Sequence, residues 1–191
     1  MLEGLKVIEM ATYVAAPAAG AMLRDWGADV TKVEPLNGCP MRRFFEGMRS
    51  NVPIEGNPIF TLDNRGKKGV SINTSDEKGA KLVSEMIKNA DVFLTNVRPQ
   101  SLESAQLDYE SLSKINPKLV YCSLTGYGLD GDDKNKPGFD IAAYWSRSGM
   151  AQLTQRKGEE PLPIRTASGD HITAISTCLL YTSPSPRDVE E

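Results

Sequence analysis

Residues 5–34 constrain the fold more than any other stretch of the chain. Residues 5–9 (Leu-Lys-Val-Ile-Glu) read as a short strand, and Val14-Ala15-Ala16-Pro17 reads as a small-residue turn. Residues 18–26 then read as a helix, with Pro17 suited to its first position and Gly27 closing it. Residues 29–34 alternate Val30 and Val33 with polar neighbours, the mark of a second strand. A strand, a short helix and another strand cannot close as a hairpin. The strands must run parallel through a right-handed crossover, which commits the chain to a helix-covered parallel sheet.

The rest of the sequence extends that pattern. Residues 35–58 are rich in Gly, Pro and Asn around Arg42-Arg43 and read as a long surface excursion. Residues 69–73 form the next strand. Thr74 or Ser75 then caps a helix reaching Asn89, with Leu82, Met86 and Ile87 inward and Lys78, Lys81, Glu85 and Lys88 outward. Residues 91–95 are another strand, Leu102, Leu107, Leu112 and Ile115 mark helical pieces, and residues 118–125 read as a buried strand. The expected fold is α/β: Rossmann-like, doubly wound, with a mainly parallel sheet and flanking helices. Residues 172–180 begin a final helix. The run from Tyr181 onward should not continue it, because Pro184 and Pro186 lack amide donors. The expected division is a domain over residues 1–177 and a foreign-looking or disordered tail over 178–191, which resembles translated sequencing-adapter read-through; the chain then reads as a fragment of a longer protein.

Composition removes several function classes. Twenty-two basic against 25 acidic side chains give a net charge of −3, unsuited to a nucleic-acid binder that relies on a broadly basic surface. Three cysteines (Cys39, Cys122, Cys178) without a Cys-x-x-Cys pair exclude a disulfide framework and a cysteine-rich zinc site. A single histidine, His171, rules out a multi-histidine metal site, and no metal is expected. The N-terminal residues show neither a basic n-region nor a sustained apolar run, so neither membrane insertion nor export is expected, and a cytoplasmic location is the default.

Four segments carry candidate chemistry. Gly126-Tyr127-Gly128-Leu129-Asp130-Gly131 matches G-x-G-x-x-G after a strand, but the charged run ending in Pro137 opens no helix to receive a pyrophosphate, so dinucleotide binding is not expected. Asn64-Arg65-Gly66-Lys67-Lys68 is either a solvated charged turn or a contact for the phosphates of an anionic ligand. Asn96-Val97-Arg98 follows a strand, where open α/β sheets bind ligands, and reads equally as an ordinary turn. Asp170 precedes the last helix and is an N-cap candidate or a nucleophile; a carboxylate is ionised at neutral pH without a general base.

Taken together, the segments 4–9, 27–35, 64–68, 91–96, 117–121 and 137–140, with Gly169-Asp170, resemble the N-terminal half of family III CoA-transferases, over about residues 2–177. The resemblance implies a CoA-transferase that moves CoA from an acyl-CoA to a carboxylic acid through an aspartyl anhydride and an aspartyl-CoA thioester. Asp170 is then the acyl acceptor. Asn64, Arg65, Lys67, Lys68, Asn96, Val97 and Arg98 are CoA contacts, and Val14, Ala15, Phe139 and Asp140 line the substrate pocket. Coenzyme A enters as a thioester substrate and no cofactor is bound permanently. The full-length parent is expected to be an interlocked homodimer of two-domain chains, and this fragment is expected to be inactive alone. The related α-methylacyl-CoA racemases carry histidine where Phe139 stands, which argues against that activity, and segments 11–20 and 138–140 most resemble the 2-hydroxyacyl-CoA transferases, so a 2-hydroxy acid is the expected acceptor. A racemase-like enzyme and a non-catalytic CoA-binding domain are the alternatives. Many members have arginine at the position of Pro35 and aspartate at that of Cys39.

Overall fold

The computed structural model describes residues 1–162, 165 and 167–182. Its centre is one sheet of five strands, β1 (Lys6–Met10), β2 (Asp29–Glu34), β3 (Lys68–Ser71), β4 (Val92–Thr95) and β5 (Val120–Ser123). They lie in the order β3-β2-β1-β4-β5, and every pairing is parallel. The Rossmann-like α/β expectation therefore holds. The chain first builds outward from β1 through β2 to β3, then returns to place β4 on the other side. The carboxyl ends of β1 and β4 thus form the switch point at which open α/β sheets hold ligands.

Strand alternation sends successive side chains to opposite faces. Val7, Val30, Val92 and Leu94 pack on one face beneath helix α1 (Ala15–Asp25), together with Ala174 and Cys178 from the last helix. Ile8, Met10, Val33 and Phe93 pack on the other face. Between them on the chain come the short α2 (Phe44–Gly47) and α3 (Pro58–Asn64). The second face is covered by α4 (Glu77–Ile87), α5 (Pro99–Ser104) and α6 (Tyr109–Ile115). A π-helix at Asp140–Ser146, α7 (Met150–Thr154) and α8 (Ser168–Thr182) complete the elements.

Several local expectations are corrected. Helix α1 starts at Ala15 with Val14 as its N-cap residue, so Pro17 is the third helical residue rather than the first. Asp76, not Thr74 or Ser75, caps α4 by accepting from the amides of Lys78 and Gly79. Ala80, Val83 and Ile87 are the buried side of α4, whereas Leu82 faces solvent at 53% exposure. Burying Val83 and Ile87 is worth about 1.5–3 kcal/mol each and sets the helix rotation. β5 is an edge strand with Val120 49% exposed, because no sixth strand among the described residues covers it. The 35–58 excursion is anchored: Cys39 and Met41 are buried, Arg42 makes a bidentate pair with Glu34, and Asn57 donates to the Met41 and Arg42 carbonyls. Helix α8 continues through Thr182, past the expected break at Tyr181; residues 183–191 of the expected tail lie outside the described residues.

The α1 face also buries charge. Glu9 is fully enclosed and its two carboxylate oxygens meet Lys32 Nζ and Lys67 Nζ, each at 2.6 Å, with both lysine side chains 2% exposed. Lys32 also donates to the Ala11 carbonyl, and Lys67 to those of Pro17 and Asp63. Room for this cluster comes from Gly20: a Cβ there would stand 2.0 Å from Glu9 Oε2 and 3.2 Å from Lys67 Nζ. Gly20→Ala should therefore lower stability by about 2 kcal/mol in urea unfolding, although alanine is the better helix former by about 1 kcal/mol. An unchanged or raised midpoint would refute the close approach.

Candidate active site

The site forms above the carboxyl end of β1. Tyr13, just past that strand, has a positive φ of 60°, a conformation that non-glycine residues adopt at a cost. Its ring meets Phe139 edge-on with centroids 5.9 Å apart. Phe139 leads into the π-helix and places Asp140 below it, buried. From the other side, α8 brings Asp170 in its first turn, and the Asp170 amide donates to Asp140 Oδ1 at 3.2 Å. Gly169 makes that approach possible: a Cβ on it would fall 2.2 Å from the Tyr144 ring and 2.4 Å from Asp140 Oδ1. Asp170 is thus the third residue of α8 rather than its N-cap. Asp63 at the end of α3 closes the group, with His171 Nε2 3.2 Å from its Oδ1.

Three carboxylates therefore share one small region with one imidazole. Burial pushes the Asp170 carboxyl up to about 6, Asp140 and Asp63 add to the rise, and His171 opposes it. Burial also raises Asp63, against the pull of His171, Lys67 and Arg65. Oδ2 of Asp140 and Oδ2 of Asp63 are buried without a hydrogen-bond partner among the described residues. Among those residues no group of three or more His, Cys, Asp or Glu side chains is arranged to hold a metal ion.

The raised Asp170 value fixes a sign for stability. The folded chain holds this proton more tightly than the unfolded chain, so stability falls as pH rises from about 4 through about 6 and the cost persists above that. Asp170→Asn removes the cost. It should gain about 1 kcal/mol at pH 7.5, the partial solvent access of the group screening most of the shift, and the gain should vanish near pH 4. Thermal melts at both pH values check this; a pH-independent difference would contradict it.

A second feature lies at the switch point itself. A cleft of about 590 Å³ opens at the carboxyl ends of the strands, lined among others by Thr12, Glu34, Thr74, Ser75, Gln100 and Ser101. Asn96 ties its two sides together, accepting from the Thr12 amide at 2.9 Å and donating to the Thr12 carbonyl at 2.7 Å. Thr12 lines the cleft and Tyr13 touches Phe139, so adjacent residues connect it to the carboxylate group.

The sequence matches the CoA-transferase family III profile over residues 2–182. The chain belongs to CoA-transferase family III. It is 39% identical to the (R)-2-hydroxy-4-methylpentanoate CoA-transferase of Clostridioides difficile, over 92% of this chain and 44% of that protein. It is 42% identical to the cinnamoyl-CoA:phenyllactate CoA-transferase of Clostridium sporogenes, over 90% of this chain and 42% of that one. Among solved structures, a CAIB/BAIF family protein from Brucella suis superposes with a TM-score of 0.85 at 36% identity, covering 95% of this chain and 48% of its own. The chain thus spans less than half the length of the curated relatives it matches.

Within this family frame the expected site residues separate. Asp170, Asp140 and Phe139 come together, with Val14 close by: it is buried in a cluster with Cys39, Met41 and Ala167, the residue just before α8, and Ala15 beside it is half-buried. The charged run does not gather as one anion contact. Lys67 is spent on Glu9 inside the protein, Asn64 joins Lys67 and the Phe60 carbonyl, Arg65 pairs with Asp25, and Lys68, opening β3, pairs with Asp29 at the amino end of β2. Asn96 holds the switch-point loops, the Val97 amide donates to Thr95 Oγ1, and Arg98 is exposed ahead of α5. Tyr13, Asp63, Tyr144 and His171 were not foreseen as site members; only strand-end position marks Tyr13, and nothing local marks the others.

Proposed function

We propose that this chain is the N-terminal, CoA-binding part of a family III CoA-transferase that moves CoA from an acyl-CoA to a 2-hydroxy acid, with Asp170 as acyl acceptor. The observation that carries the reading is the Asp170 carboxylate, partly buried at the start of α8, where the Asp170 amide donates to Asp140 of the π-helix. The Asp170 carboxylate attacks the thioester carbonyl of the donor and expels CoA thiolate, leaving a mixed anhydride. The thiolate attacks the aspartyl carbonyl, releasing the donor acid and leaving an aspartyl-CoA thioester. The acceptor carboxylate displaces the thiolate to form a second anhydride, and the thiolate then takes the acceptor acyl group and frees Asp170. Each acyl bond made replaces one broken, so the thioester's energy is kept as long as water stays out.

In this reading the nucleotide end of CoA lies in the switch-point cleft at Thr74, Ser75 and Gln100, and its arm passes Thr12 and Tyr13 to reach Asp170. The partnerless Oδ2 of Asp140 offers an acceptor to the acid's 2-hydroxyl. The two 2-hydroxy-acid transferases among the relatives support that choice, and Phe139 cannot carry the proton that a racemase needs. In this reading the complete enzyme is a cytoplasmic homodimer. Among the described residues no helix is long and apolar enough to cross a membrane. The test is to mix the full-length protein containing this segment with an acyl-CoA and hydroxylamine, then locate the adduct by peptide mass spectrometry. A hydroxamate on Asp170 is expected; a modified residue elsewhere, with Asp170 untouched under turnover, would overturn the reading.

A further inference from the structure

His171 stands next to Asp170 in the chain, yet its ring faces α3. Nδ1 lies 2.8 Å from the Ala167 carbonyl and Nε2 lies 3.2 Å from Asp63 Oδ1. A carbonyl oxygen can only accept, so Nδ1 must carry a proton. Nε2 then faces a carboxylate oxygen, and two bare acceptors cannot meet at that distance. One further proton lies between them, whether on the ring or on the acid. Asp63 is nearly inaccessible and Lys67 braces the same helix end by bonding the Asp63 carbonyl, so the carboxylate cannot turn away to water.

We infer that Asp63 and His171 hold one proton between them and, as a pair, position Asp170, locking the first turn of α8 to the end of α3 beside the reactive carboxylate. The inference rests on reading Asp170 as the acyl acceptor. The groups facing Asp170 are Asp140 from the π-helix, Asp63 from α3 and His171 on its own helix, while Lys67 and Arg65 act on Asp63. Of these groups, His171 is the one that opposes the rise caused by the two neighbouring acids. Without it, Asp170 would hold its proton to higher pH and fewer molecules would carry the nucleophilic form.

Nuclear magnetic resonance tests the pair without turnover. His171 is the only histidine of the 191-residue chain, so its ring nitrogens assign themselves. Near pH 7, Nδ1 should be protonated and Nε2 should show a proton bound or shared. In His171→Gln, the titration of the Asp170 carboxyl carbon should move up by about half a pH unit, the size expected for losing a half-exposed charge at this range. A bare Nδ1, or an Asp170 titration that stays in place, would overturn the inference. If His171→Gln does not fold, Asp63→Asn answers the question: its amide donates to the ring, so Nε2 should become bare, and an unchanged ring spectrum would refute the shared proton. These readings hold or fail whether or not Asp170 accepts acyl groups. In the full-length enzyme, the acid limb of kcat/KM should shift with the carbon titration. A purely structural role would lower the rate equally at every pH.

Discussion

Asp170→Ala in the full-length protein should cut acyl transfer at least about 10³-fold, with the KM for the acyl-CoA changed far less. No other group at the site can take the part of the carboxylate. Asp140 is buried and already accepts the Asp170 amide, Asp63 is tied to His171, and the His171 ring faces away along α3. The same carboxylate predicts the pH profile. In the proposed mechanism it attacks only when ionised, and burial with two neighbouring acids holds its proton up to about pH 6. The rate should therefore climb with pH up to about 6, falling tenfold for each pH unit below that, and level off above. Stopped assays of kcat/KM between pH 4.5 and 8 would show the limb. A flat profile, or an Asp170→Ala enzyme that keeps a tenth of its activity, would remove Asp170 from the chemistry.

The largest stability effect should come from the core rather than the site. Glu9→Gln leaves Lys32 and Lys67 facing one another in the interior without the carboxylate that bridges them, and removing one partner of a buried ion pair costs about 3–5 kcal/mol. Lys67 already feels the enclosure: burial pushes it down to about 8 even with Glu9 drawing it back up and Lys32 adding to the fall. Replacing all three together by Leu, Met and Met should recover most of that loss, because no charge is then left buried. Chemical denaturation of both variants decides the matter; a Glu9→Gln penalty under about 1 kcal/mol would mean that water reaches the cluster.

These two effects also show what could be read from residue order alone. The β1–α1–β2 unit is legible because two short valine-bearing strand stretches flank the small-residue run of α1; the parallel sheet follows from it. Glu9 and Lys32 stand two residues past Val7 and Val30, so strand periodicity puts them on the same α1 face; what residue order does not reveal is that their third partner is a lysine far along the chain. Lys67 shows the same limit: beside Arg65 and Lys68 it looks like surface, and only the tertiary fold turns it inward. Leu-Val-Tyr-Cys-Ser-Leu looks like a core strand, but sheet order makes β5 an edge. At the site, Asp170 and Asp140 came through resemblance. The Asp63–His171 contact joins residues 108 positions apart and leaves no periodic trace.

Asp170 shares its helical stripe with Ala174 and Cys178, four and eight residues on, and both are clamped in the core against α1, with the Cys178 thiol donating to the Ala19 carbonyl at 3.3 Å. The helix is therefore a rigid lever whose handle is hidden. An oxidised thiol or a larger side chain at its buried end would be transmitted along the axis and surface as lost turnover, far from the damage. An engineer seeking a new acceptor acid would do better to leave α8 alone and vary Tyr13 and Phe139, whose rings stand at the mouth of the site and bear no such load.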